Sequence, residues 1–153
     1  MAKLNIVKVG DDVLRKKCRP VEEITPKIIQ LLDDMAETMR DANGVGLAAP
    51  QVGILRRIVV IEVEEGNLIE LINPKIIAYA GEQDGTEGCL SVPGKWGMVK
   101  RPMHVTVRAT NRLGEEFDLN GSELLARAIC HELDHLDGKL YIDVARNIET
   151  ATE

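Results

Sequence analysis

The stretch Leu124-Leu125-Ala126-Arg127-Ala128-Ile129-Cys130-His131-Glu132-Leu133-Asp134-His135-Leu136 decides both the fold and the chemistry. Its apolar residues recur at helical spacing. Asn120, with Glu123 three residues on, has the pattern of a capping box, so the helix is expected from about Gly121 to Asp137, with Gly138 as its C′ residue. With His131 set at zero and 100° per residue, Leu124, Leu125, Ala128, Ile129 and Leu136 fall between about 20° and 160°. That stripe is expected to face a core. Arg127, Asp134, Asp137 and Glu123 fall on the other side. His131, Glu132 and His135 lie within or at the edge of the stripe, where polar groups are costly unless something satisfies them.

A metal ion would satisfy them. His131-Glu132-Leu133-Asp134-His135 is H-E-x-x-H. Histidines at i and i+4 sit one turn apart on one face and can grip a single ion, and the Glu between them can take a proton from water on that ion. An open catalytic site usually has three protein ligands. In one protease class the third is a His six residues after the second, where this chain has Tyr141. Glu149 and Glu153 lie in a short tail without a convincing helix. His104 sits in a strand-like segment and reads as a surface or core histidine. Cys18 lies in the charged stretch Arg15-Lys16-Lys17-Cys18-Arg19. Cys130, at about 260° on the wheel, points away from the histidines. Cys89, in Glu87-Gly88-Cys89-Leu90-Ser91, sits in a glycine-containing turn where backbone can approach an ion closely. The expected set is Cys89, His131 and His135.

Working outward, Thr25-Pro26 is a helix start, Ile28, Ile29, Leu32, Met35 and Met39 follow at helical spacing, and Asn43-Gly44 stops that helix. Arg57 to Val63, Leu68 to Ile72, Lys75 to Ala80 and His104 to Thr110 read as strands. Asn111 to Gly114 reads as a turn, with Glu115 to Leu119 returning. Helix, antiparallel strands, then helix is an α+β order. The expected architecture is antiparallel strands packed around a central helix carrying HExxH, with an N-terminal helix. No repeat, low-complexity tract or linker divides residues 1–153, which read as one domain. Apolar residues make up 44% and charged residues 29%, which excludes a disordered chain. The net charge of −6 argues against direct nucleic-acid binding, which needs a basic face. Three cysteines without framework spacing suit a reducing compartment. No run approaches the roughly 18 apolar residues of a membrane span, and Met1 to Gly10 lacks a signal-peptide pattern. The expected location is cytoplasmic.

Three motifs fall together in order. Gly44-Val45-Gly46-Leu47-Ala48-Ala49-Pro50-Gln51 resembles the first motif of the peptide deformylases, Glu87 to Ser91 their E-G-C-L-S, and His131 to Leu136 their H-E-x-D-H-L. The resemblance spans nearly the whole chain. It implies a hydrolase that removes formate from the N-terminal formylmethionine of new polypeptides, with a metal-bound hydroxide as nucleophile. Carried over, Cys89, His131 and His135 hold one divalent ion per chain, with Fe(2+) expected and Zn(2+), Ni(2+) or Co(2+) as substitutes. Glu132 is the general base and then the acid, and Gln51 with the backbone N–H of Leu90 forms the oxyanion pair. The segments Gly44 to Gly46 and Glu87-Gly88 flank the substrate, an N-formylmethionyl peptide laid alongside the backbone.

Val45, Leu124 and Ala128 are candidates for the methionine pocket, and core packing explains them equally well. Asp134 reads as structural, with Arg101 its candidate partner, and Ser91 as a hydrogen-bonding neighbour of the ligand turn. Trp96 or Lys95 stands where some members carry an arginine. The chain ends 18 residues after His135, without the long helix by which some members dock on the ribosome. Docking by that route is not carried over, while transient ribosome association stays open as a partner. Two other readings use the same helix: an endoprotease, which Cys89 and Tyr141 disfavour, and a closed structural metal site, which three clustered ligands beside a Glu disfavour.

Overall fold

The computed structural model describes residues 3–150. The Thr25 hydroxyl accepts a hydrogen bond from the Ile28 N–H and Pro26 fills the first helical position, so α1 (Pro26–Asp41) starts where its sequence expects. It ends as Asn43 adopts a left-handed φ of +58° and the Gly44 N–H reaches back to the Met39 carbonyl. β1 (Gly46–Ala48) and β2 (Ile58–Ile61) follow, then β3 (Ile69–Ala80), β4 (Gln83–Cys89), β5 (Val92–Arg101), β6 (His104–Thr110), β7 (Glu116–Ser122), α2 (Leu124–Leu136) and β8 (Arg146–Thr150). All ladders between these strands are antiparallel, and an isolated parallel bridge joins Arg19 to Arg56. The strands form a five-stranded sheet of order β1-β2-β3-β6-β7 and a three-stranded sheet of order β4-β5-β8.

The apolar pattern of β2 explains the layering. All four of its residues are buried, because both faces of the large sheet are covered. Ile58 and Val60 pack with Leu32, Met35 and Met39 of α1, while Val59 and Ile61 pack with Ile129, Leu133 and Leu136 of α2. The small sheet lies on the other side of α2, with Val92 and Val99 packed around Tyr141. α2 is thus enclosed, as the expected architecture has it, and nearly every residue from Ala126 to Leu136 is buried.

Several sequence expectations are corrected. The capping box at Asn120 and Glu123 does not form. β7 stays paired with β6 as far as Ser122 opposite His104, Asn120 takes a hydrogen bond from Thr106, and Glu123 turns the chain at φ +55° without a side-chain cap. The helix therefore begins at Leu124. Arg127 is not on a solvent face but 7% exposed, because the small sheet covers it. Leu124, expected on the core stripe, is 50% exposed. The expected strands Leu68 to Ile72 and Lys75 to Ala80 are one strand that begins at Ile69, with Asn73 at φ +52° and a register shift where Asn-Pro interrupts the ladder. The tail holds a strand, in keeping with the expected lack of a helix there.

Gly138 ends α2 at φ +76°, and a Cβ there would meet the Arg15 carbonyl oxygen at 2.5 Å. Gly138→Ala is expected to cost about 1–3 kcal/mol, from positive-φ strain with the clash adding to it. A urea denaturation midpoint compared with the wild type measures it.

Candidate active site

The enclosed helix presents its chemistry to one cleft of about 480 Å³. β1 and the residues before it form one wall through Gly44, Val45 and Gly46. The end of β4 and the turn after it form the other through Glu87, Gly88, Cys89 and Leu90. Leu124, Ala128, His131 and Glu132 of α2 form the floor, and Gln51 reaches in from the 3-10 turn Ala49–Val52. The cleft therefore gathers all the residues expected to bind metal, act in catalysis or flank the substrate except His135, whose ring meets Cys89. Val45, at 45% exposed, and the half-exposed Leu124 offer apolar surface to the cleft.

Cys89 Sγ and one ligand atom each of His131 and His135 lie within 4.8 Å of one another. Sγ is 3.4 Å from His135 Nε2. A tetrahedral ion with the usual Zn–S and Zn–N bond lengths spaces sulfur and nitrogen by about 3.5 Å, so the donor set fits such an ion. His131 Nδ1 lies 2.8 Å from Glu87 Oε1, which leaves Nε2 for a metal. The remaining candidates stand apart, as expected. His104 is exposed and paired with Ser122 at 2.7 Å. Cys18 and Cys130 are buried in the core, where burial pushes each thiol up to about 11. All three cysteines are free. Tyr141, in the place of a third histidine, stacks on the His131 ring at a centroid distance of 5.9 Å.

The protein groups shift one another strongly. Burial drives His135 down to about 3, with the neighbouring His131 acting in the same direction. Burial also disfavours a charged His131, but hydrogen bonds from the ring to Cys89 and Glu87 outweigh it and carry the ring up to about 10. Burial raises Glu132 to about 7, against the attraction of His131. Burial alone would raise Glu87; instead its bonds to His131 and Arg101 hold it at about 2.

Gln51 is 1% exposed, and its orientation follows from its bonds. Its Oε1 accepts from the Ala48 N–H at 3.0 Å, so Nε2 faces Ser91 Oγ at 3.1 Å and Cys89 Sγ at 3.5 Å. Ser91 thus does bond beside the ligand turn. The expected Arg101–Asp134 pair forms at 2.8 Å. Trp96 instead donates to Glu149 of β8 at 3.0 Å, and Lys95 pairs with Thr150, so both serve the small sheet.

What the sequence reading missed is Arg127. It lines the cleft and binds Glu87 Oε2 at 2.7 Å. The signal was present, because Arg127 lies one turn before His131 on the same helix.

A small α+β fold with two imidazoles and a cysteine sulfur grouped beside a buried glutamate defines a metal-dependent hydrolase. The family model for polypeptide deformylase matches residues 3–151, and the chain belongs to that family, whose members remove the N-formyl group from new polypeptides. It is 63% identical over 134 residues to a peptide deformylase of Agathobacter rectalis, covering 88% of this chain and 84% of that one. It is 57% identical over 145 residues to that of Thermoanaerobacter pseudethanolicus, covering 95% and 91%. Among solved structures, a peptide deformylase from Legionella pneumophila superimposes with a TM-score of 0.92 at 42% identity, covering 95% of this chain and 87% of that one. One from Synechococcus elongatus, in complex with actinonin, gives 0.91 at 43%, covering 94% and 79%.

A Cβ added to Gly46 would sit 2.6 Å from Glu132 Oε2. Gly46→Ala should therefore push the carboxylate aside and lower formate release by about 10²-fold, as expected for a displacement near 1 Å. Steady-state assay of a formyl-Met dipeptide checks this, with circular dichroism to confirm folding.

Proposed function

We propose that Cys89, His131 and His135 hold Fe(2+) and that the residues around them divide the hydrolysis of a formyl amide among themselves. The ion, when bound, supplies Lewis acidity that lowers the pKa of water and polarises the formyl carbonyl. Zn(2+), Ni(2+) and Co(2+) suit the same soft donor set and are the expected substitutes. The observation that carries the reading is the grouping of those three donor atoms within 4.8 Å, beside Glu132 and at the base of one cleft.

Glu132 takes a proton from the attacking water and returns it to the leaving amine, which cannot depart as an anion. Its burial keeps the carboxylate out of bulk water and close to the reacting bond. The negative charge that develops on the former carbonyl oxygen is met by Gln51 Nε2 and the Leu90 N–H. Gln51 is suited to this because the Ala48 N–H already holds its oxygen and leaves the amide N–H groups facing the site. Gly44 to Gly46 on one wall and Glu87-Gly88 on the other flank the peptide. The methionine side chain rests on Val45, Leu124 and Ala128, whose exposure favours a pocket over core packing for the first two.

The substrate is an N-formylmethionyl peptide at the start of a nascent chain. We place the work in the cytoplasm, with transient approach to the ribosome. Among the described residues no helix is long and apolar enough to cross a membrane.

Formyl-Met-Ala and an unformylated internal peptide, assayed side by side with anaerobic metal analysis, test the whole. Formate release with iron bound is expected, and cleavage of the internal peptide alone would sink the assignment. Glu132→Gln should keep its metal while kcat falls by ~10²–10⁴-fold. The iron form should lose activity in air as thiolate or Fe(2+) is oxidised, while the nickel or zinc form persists. Activity followed over hours with and without oxygen reads the difference.

A further inference from the structure

The donors proposed to hold the ion come from two different elements of the fold. Cys89 ends β4 of the small sheet, and His131 and His135 lie on α2. Something must set the spacing between them, and the geometry points to Arg127 as the residue that does so.

Arg127 leaves α2 one turn before His131 and enters the small sheet. Its Nη1 donates to Glu87 Oε2 at 2.7 Å, to the Val99 carbonyl at 2.9 Å and to the Gly85 carbonyl at 3.3 Å. Gly85 and Val99 are directly opposed in the β4–β5 ladder, so one nitrogen holds both strands at a paired position. Gly85 makes room for this, since a Cβ there would lie 3.0 Å from Nη2 and 3.3 Å from Cζ. The site is built: Arg127 is 7% exposed, and Nη2 is buried with no partner among the described residues. The charges also close. Glu87 and Asp134 face Arg101 and Arg127, and Glu87 in turn holds His131 Nδ1. Removing Arg127 would leave the buried Glu87 with one guanidinium instead of two, and the sheet end carrying Cys89 with one fewer tie to the helix.

Arg127 is thus a positioning residue. Through Glu87 and the paired carbonyls it holds Cys89 at ligating distance from His131 and His135 before an ion arrives, which is preorganisation of a metal site from behind. This rests on the metal-site reading above.

The test uses cobalt-loaded protein and follows release to excess chelator by loss of the sulfur-to-cobalt charge-transfer band. Arg127→Leu should release cobalt ~10–100-fold faster than wild type, the range expected for a partner behind the ligands. Arg127→Lys keeps the charge but not the fork, and should fall between. Gly85→Ala, at a glycine with no positive φ, nudges the Arg127 guanidinium without replacing any residue that lines the cleft and should speed release a few-fold. Arg112→Leu breaks the Glu70 and Asp33 bonds far from the site, lowers stability and should leave release unchanged. If wild type fails to hold cobalt, the metal site itself is wrong. If wild type holds it and Arg127→Leu releases it at the same rate, the role of Arg127 is overturned. Should Arg127→Leu not fold, an unchanged rate in Gly85→Ala overturns it equally.

Discussion

The buried carboxylate of Glu87 is the point on which the arrangement turns. It is 5% exposed, yet it binds Arg101 through two oxygens, Arg127 through one, and the His131 ring. A buried anion is tolerated only when it is fully paired, and here every oxygen is engaged. The same bonds join the three-stranded sheet to α2, so charge compensation and assembly are one event. Arg101 spans from Glu87 to Asp134, and Arg127 spans from Glu87 to the backbones of β4 and β5.

From that junction the cleft follows. α2 is packed on one side by the large sheet and on the other by the small one, which leaves the strip from Leu124 to Glu132 open between β1 and the end of β4. Gly46 lets the β1 backbone lie against the Glu132 carboxylate, where any side chain would collide. Gln51 is held by the Ala48 N–H in the orientation that turns its donors toward Cys89. The Glu132 carboxylate, the Gln51 amide and the donor cluster of Cys89, His131 and His135 are thus all carried by elements of the fold rather than by long loops.

Much of this was legible beforehand. α1 was read from Thr25, Pro26 and a clean apolar period, and β6 with its Asn111 to Gly114 turn from β-branched residues and turn chemistry. The H-E-x-x-H spacing and the three ordered motifs pointed to the site. β4 was not readable, because Gln83-Asp84-Gly85-Thr86-Glu87-Gly88 has neither apolar alternation nor β-branched enrichment; its pairing with β5 comes from the ladder alone. β1 was too short to show a period. Asn120 looked like a cap because a capping box is a local pattern, whereas the β6 pairing that claimed it comes from 14 residues away.

What the sequence determined alone is the identity and local spacing of the chemistry: two histidines and a glutamate on one helix, a cysteine next to a glycine, and the family they belong to; that this cysteine ends a strand, where a turn was expected, is a tertiary result. Identity and spacing follow from covalent order and helical periodicity, which need no neighbours. Tertiary structure decided the distance from Cys89 to the histidines, the burial that moves Glu132 and His135 away from their ordinary values, and the fate of Arg127. A helical wheel assigns faces relative to one core, and α2 has a sheet on each side. An arginine that the wheel turned toward water therefore lies buried, bonded to the carboxylate that holds the site together.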